Sequence, residues 1–122
     1  MKNSGLMFPK PGPTKKRRRA HPASILHRKE DGTCFLCVML KNDFRIHGYR
    51  EEHHVFFSKH QRHLSEEYGL KIYLCRRHHR DGQEAVHNNR EIRRFTEAQG
   101  QQAFEERYGH KRFMEVFGEN YL

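Results

Sequence analysis

Residues 51–57 read Glu-Glu-His-His-Val-Phe-Phe, and residues 70–74 read Leu-Lys-Ile-Tyr-Leu. The first stretch combines β-branched and aromatic residues, and the second alternates apolar and polar side chains, so both are typical of β-strands. We expect the two strands to pair antiparallel. The polar residues 58–69 between them predict a loop, with room for one helical turn at 65–68 before Gly69.

Two pairs of potential metal ligands flank these strands, and two residues separate the members of each pair: Cys34-x2-Cys37 and Cys75-x2-His78. Such spacing lets a tight turn point both side chains at one ion, and two such turns supply a tetrahedral set. The arrangement uses all three cysteines of the chain. Four protein ligands leave no open coordination position, which predicts a structural Zn²⁺ rather than a catalytic one. The alternative is three buried free cysteines.

The C-terminal third has apolar residues at helical spacing from residue 89 onward. Gly100 and Gly109 divide this tract, and a last short helix is predicted around residues 113–117. The aromatic side chains here could stack on bases, but their spacing favours a core position. The sequence therefore predicts a small zinc-stabilised α+β domain at 23–122. It comprises a zinc knuckle and strand region at 33–88 and a helical tail at 89–122.

The formal net charge of +9 is concentrated at the N-terminus of this 122-residue chain. Residues 1–29 contain nine lysines and arginines and no acid, so the remaining residues, with fifteen of each sign, are neutral. Four prolines and a basic run predict that residues 1–22 form a disordered basic arm that binds a polyanion, most commonly nucleic acid. The alternative interpretation of the basic run is a nuclear-localisation signal. The candidate contacts are Lys15, Lys16, Arg17, Arg18 and Arg19.

Several function classes are excluded by composition. The chain has no apolar run of 18 residues, so no transmembrane helix and no membrane partner is predicted. No short apolar region follows the basic start, which argues against a secretory signal. Three cysteines are too few, and an odd number, for a disulfide framework.

Histidine is unusually frequent: seven of the eleven histidines lie between residues 53 and 87, and four of these form two His-His pairs. Adjacent residues on a flat strand point to opposite faces, so His53 and His54 would not both bind one ion there. A twist or bulge would allow adjacent roles, one as ligand and one as base. A single histidine is more often a surface or core residue, and Glu51 and Glu52 are interpreted as a solvated strand start.

The segments Glu-His-His-Val-Phe at 52–56, Leu-Cys-x2-His-His at 74–79 and Ala-Val-His at 85–87 together resemble the HNH endonucleases of the ββα-metal (His-Me finger) superfamily. The resemblance is to small phage-encoded members related to RecA-dependent phage nucleases. It spans about residues 33–88 and extends to the C-terminal tail and the basic start. It implies a metal-dependent endonuclease that hydrolyses DNA phosphodiester bonds in the cytoplasm of a bacterial host, in recombination or DNA processing.

The resemblance also implies roles for individual residues. His54 matches the general base, and His53 and His79 match ligands of a catalytic divalent ion. His87 stands where a further ligand or a phosphate contact is expected. The ion implied is Mg²⁺ or Mn²⁺, with Ni²⁺ or Zn²⁺ as alternatives for imidazole ligands. The expected phosphate contacts beside the knuckle are Arg76, Arg77 and Arg80.

One departure from the family pattern concerns the central Asn, which normally precedes the second strand and holds the loop. Leu70 and Lys71 stand in that neighbourhood here, so another residue must anchor the loop. Two alternative functions stay open: a non-catalytic zinc-knuckle DNA-binding module, and an adaptor in a phage recombination or packaging complex. A recombinase filament, or another phage recombination protein, is a further candidate partner.

Overall fold

The computed structural model describes residues 21–122 and has an α+β fold. The predicted arm contacts at 15–19 lie outside the described residues. The described helices contain no apolar stretch long enough to cross a membrane. In chain order the elements are a 3-10 turn (Lys29–Asp31), α1 (Phe35–Lys41), β1 (Glu51–His54), α2 (Arg62–Tyr68), β2 (Lys71–Leu74), a π-helical turn (Arg77–Asp81), α3 (Arg90–Tyr108) and α4 (His110–Phe117).

The two strands form an antiparallel pair in which Glu51 lies opposite Leu74 and His54 lies opposite Lys71. The predicted pairing is confirmed, but β1 ends at His54 instead of continuing to residue 57. The reason is that the chain turns into the core after His54. Val55 and Phe56 are fully buried, and the Phe56 ring packs 4.7 Å from the Phe117 ring between centroids.

The connection between the strands contains a helix of two turns, α2, where the sequence predicts a loop with a single turn. Leu64 and Tyr68 lie four residues apart on this helix and pack against the core. This packing stabilises α2 although the helical pattern of its own sequence is weak. Gly69 ends the helix with a φ of 70°. A Cβ at this glycine would lie 2.5 Å from the carbonyl oxygen of Ala23.

The long helix α3 runs through Gly100, so the predicted division at this glycine is wrong, whereas the division at Gly109 is confirmed. A Cβ on Gly100 would lie 2.8 Å from Cγ1 of Val55 and 3.2 Å from Cε2 of Phe56. Glycine at this position therefore lets the helix approach the segment that follows β1. Its role is close packing rather than helix termination.

An aromatic core joins α3 and α4 to the end of β1. Phe104 and Phe113 are fully buried, with ring centroids 5.4 Å apart, and Phe113 stacks on Phe117 at 4.7 Å. The core position predicted for these aromatic residues is confirmed, except that Tyr108 is 48% exposed. The helices thus support the strand end that carries the histidines.

Candidate metal centres

Cys34, Cys37, Cys75 and His78 form a compact group of ligand atoms. Nδ1 of His78 lies 3.5 Å from Sγ of Cys34, 3.4 Å from Sγ of Cys37 and 3.5 Å from Sγ of Cys75. The Sγ atoms of Cys37 and Cys75 are 3.9 Å apart. A tetrahedral zinc ion with Zn–S bonds of about 2.3 Å and Zn–N bonds of about 2.1 Å requires S···S edges of about 3.8 Å and N···S edges of about 3.6 Å. The group could therefore hold a structural metal such as zinc.

Two turns bring these ligands together. Cys34 immediately precedes α1 and Cys37 lies in its first turn, while Cys75 follows β2 and His78 lies in the π-helical turn. Burial, together with the neighbouring sulfurs, raises the pKa of the Cys34 and Cys37 thiols. These sulfurs therefore ionise readily only when a cation compensates the thiolate charge.

A second group consists of His53, His79 and His87, whose ring nitrogens lie within 4.8 Å of one another. Nε2 of His79 and Nε2 of His87 are 3.2 Å apart. His53 is 2% exposed, and its Nε2 is buried without a hydrogen-bond partner in the described part of the chain. A buried polar atom without a partner is costly, and an ion at this position would supply one.

Glu51 orients one of these histidines. Nδ1 of His79 donates to Oε1 of Glu51 at 2.6 Å, which leaves Nε2 of His79 as the lone-pair atom facing His87. The interpretation of Glu51 as a merely solvated strand start is wrong. Glu51 and His53 are two residues apart on β1 and so share one face, a relation that the strand alternation alone could have indicated.

The electrostatics of this cluster keep two of its members, His53 and His87, neutral. Burial, followed by the neighbouring His79, lowers the pKa of His53 to about 2. Burial, again followed by His79, lowers the pKa of His87 to about 4. Both imidazoles are therefore uncharged near pH 7, and their lone pairs are available to a cation.

His54 belongs to a different network on the opposite face of β1, as the alternation predicts for a flat strand. Its Nε2 lies 2.6 Å from Oε1 of Glu66, and Nζ of Lys71 donates to Oε2 of Glu66 at 2.9 Å. Although burial opposes it, hydrogen bonds from His54 and Lys71 lower the pKa of Glu66. His54, Glu66 and Glu52 could also hold a metal. The Lys71 ammonium, however, lies 3.4 Å from Glu52 and already compensates the negative charge of these carboxylates.

Ser65 anchors the segment that follows β1. Its hydroxyl donates to the carbonyl oxygen of Phe56 at 2.8 Å and accepts from the Phe56 amide at 3.0 Å, and its side chain is fully buried. This is the loop-holding task that the resemblance assigns to the central Asn. Sequence reasoning missed Ser65 because one serine in a polar stretch carries no distinguishing pattern.

The predicted ligand residues thus fall into two groups in the structure, the Cys34-Cys37-Cys75-His78 group and the three-histidine cluster of His53, His79 and His87, with His54 in a separate network.

No protein-family model, no curated protein and no solved structure matches this chain. Three imidazole side chains that converge in this way can bind a divalent transition metal. A histidine held through one ring nitrogen can exchange a proton through the other.

The three predicted phosphate-binding arginines, Arg76, Arg77 and Arg80, are all exposed and lie at the π-helical turn. The Arg76 guanidinium lies 5.3 Å from the centre of the Tyr49 ring. No ligand contact tests their role, which stays a prediction. Tyr49 also donates to Oε2 of Glu51 at 2.9 Å, so this aromatic side chain connects Arg76 with the carboxylate that orients His79.

Proposed function

We propose that the protein is a metal-dependent endonuclease of the HNH type that hydrolyses DNA phosphodiester bonds. The observation that carries the proposal is the convergence of His53, His79 and His87, where a buried ring nitrogen of His53 has no hydrogen-bond partner among residues 21–122. The next residue of the same strand, His54, is held by a carboxylate. Together with the resemblance in the sequence, this arrangement supports a phage-encoded enzyme of DNA recombination or processing.

The three-histidine cluster would hold the catalytic divalent ion, and Glu51 keeps His79 in the tautomer that such binding needs. Imidazole ligands favour Mn²⁺, Ni²⁺ or Zn²⁺ over Mg²⁺. When bound, a divalent ion neutralises the charge that develops on the phosphate oxygens during hydrolysis. The side chains of the protein would orient the attacking water and remove its proton.

His54, the last residue of β1, would act as the general base from the face opposite to the three-histidine cluster, with the scissile phosphate placed across the end of the strand between them. Glu66 accepts the Nε2 proton of His54, which leaves Nδ1 with a lone pair to remove a proton from the attacking water. Lys71 holds Glu66 from the other side, so the carboxylate stays ionised and the imidazole stays oriented. Attack by this water on phosphorus would break the bond to the 3′-oxygen, which would take a proton from solvent, and would give products with a 5′-phosphate and a 3′-hydroxyl.

The test is cleavage of supercoiled plasmid by the purified full chain with Mg²⁺, Mn²⁺, Ni²⁺ or Zn²⁺ added separately. We expect His54→Ala to lower the rate by about 10²–10⁴-fold, the usual cost of losing a general base. The matched control is His110→Ala, which removes an exposed histidine far along the chain. The proposal is refuted if the wild type cuts with none of the four ions, or if His54→Ala cuts like the control.

A zinc-knuckle DNA-binding module without catalysis is the second candidate. The Cys34-Cys37-Cys75-His78 group favours it, because a structural zinc site is the only metal site that such a module requires. The same assay separates the two functions, since a binding module shifts the plasmid in a gel without nicking it. A recombinase filament as partner stays a prediction. Adding such a filament to the cleavage reaction tests it directly.

A further inference from the structure

A polar groove with a volume of about 740 Å³ lies beside the three-histidine cluster. One wall is the first two turns of α3, which present Arg90, Arg93 and Arg94. The other wall includes Ser58, His60 and Gln61, in the segment that follows the buried Val55 and Phe56. His87 lines the groove and also belongs to the cluster, so the groove leads to the candidate ligands.

The three arginines of this groove differ in their surroundings. Nε of Arg93 lies 3.2 Å from Oε2 of the buried Glu97. Arg90 and Arg94 are exposed, and neither has a carboxylate within 4.0 Å in the described part of the chain. Two carboxylates, Glu97 and Glu119, also line the groove, and Glu97 is paired with Arg93. Arg90 and Arg94 are therefore the groove arginines without a direct ion pair, whereas Arg93 is held by Glu97.

Arg93 connects the groove to the cluster through Phe57. Its guanidinium carbon lies 4.5 Å from the centre of the Phe57 ring. The Phe57 ring also packs against the rings of His53 and His87, at 5.1 Å and 4.8 Å between ring centroids. The arginine wall and the candidate ligands are thus packed against one aromatic ring, which fixes their relative positions.

Arg90 and Arg94 are four residues apart, so they lie on one face of α3 and are separated by about 6 Å along its axis. Two base steps along one strand of B-form DNA span about 6.8 Å. The two guanidinium groups can therefore reach phosphates two steps apart on one strand. Guanidinium is also the side-chain group best suited to phosphate oxygens, through paired N–H donors.

We propose that this groove binds the phosphodiester backbone of duplex DNA, with Arg90 and Arg94 contacting phosphates next to the bond presented to the three-histidine cluster. Arg93 acts as a positioning residue through Phe57. The inference rests on the proposed function, since it assigns the substrate-binding surface of the same site. It differs from the predicted contacts of the arm and of the π-helical turn.

The experiment measures duplex DNA binding by the full chain as a function of salt, in a His54→Ala background that prevents cleavage. The test variant is Arg90→Gln with Arg94→Gln. The control is Arg107→Gln with Lys111→Gln, which removes the same charge from exposed positions at the end of α3 and the start of α4 that do not line the groove. Circular dichroism and zinc content check that both variants fold like the parent.

Each phosphate contact contributes about 0.9 to the slope of log K against log salt. Loss of two contacts should therefore flatten the slope by about 1.8 in the groove variant, and the control should keep the parental slope. An unchanged slope in the groove variant overturns the proposal. An equal change in both variants also overturns it, because net charge would then explain the effect.

Two further outcomes separate this inference from the proposed function. If the salt slopes of the groove variant and the control are as expected but the wild type cleaves DNA with none of the ions, the groove is supported and the endonuclease is refuted. Cleavage by the wild type, with no effect of the groove variant on binding, refutes the groove alone. Tighter binding of an RNA duplex than of the DNA duplex overturns the assignment to DNA.

Discussion

Ser65→Ala tests whether the segment after β1 is held by one hydroxyl. The hydroxyl makes two hydrogen bonds to the backbone of Phe56, and both residues are fully buried. Alanine leaves a buried N–H and a buried C=O without partners, at about 1–3 kcal/mol each. We therefore expect the free energy of unfolding to fall by about 2–6 kcal/mol, and the melting temperature to fall by at least about 8 °C for a domain of this size.

Urea unfolding followed by circular dichroism measures the change, with zinc present throughout. The control is Ser58→Ala, which removes a half-buried hydroxyl that donates to Gln61 at 3.0 Å, and should cost no more than about 1 kcal/mol. Because Phe56 lies two residues after His54, cleavage by Ser65→Ala should also decrease. A loss of stability in Ser65→Ala no larger than in the control would refute the anchoring argument.

Three other changes have defined outcomes. Cys37→Ala should reduce bound zinc from about one ion per chain to none in metal analysis and should unfold the knuckle; full zinc content in the variant would contradict the site. Gly100→Ala should destabilise by about 1–3 kcal/mol in urea unfolding, despite the better helix propensity of alanine, because its Cβ would lie 2.8 Å from Val55; a stabilised variant would contradict this. Burial, followed by the nearby Arg50, lowers the pKa of His27, whose Nδ1 accepts from a backbone amide. Its contribution to stability is therefore complete above the unfolded value of about 6.5 and decreases as the pH falls below it. In urea unfolding between pH 7.5 and 6.0, His27→Gln should lose part of this pH dependence, and an unchanged dependence would contradict it.

The parts of the fold that the sequence predicts are those with local signals. The spacing of Cys34 and Cys37 places both sulfurs on one turn regardless of distant residues. The alternation in residues 70–74 likewise predicts a strand, and β2 occupies Lys71–Leu74 in antiparallel pairing with β1. Both predictions needed no knowledge of the rest of the chain, and both agree with the structure.

The parts that the sequence does not predict depend on contacts between distant segments. Glu66 meets His54 across 12 residues, and Ser65 meets Phe56 across 9, because α2 folds back over the end of β1. Gly100 resembles a helix break in sequence, yet it marks the place where α3 approaches Val55. Such roles follow from packing, which a local pattern does not encode.

The π-helical turn puts His78 in the Cys34-Cys37-Cys75-His78 group and His79 in the three-histidine cluster. One peptide bond therefore joins the two candidate metal centres. An ion that immobilises His78 would also order the backbone of His79 in advance, so filling the first site should raise the affinity of the second, and by reciprocity the second should slow loss from the first. Loading of the two centres would then be cooperative, and zinc supply would set the fraction of chains competent to take up the second ion.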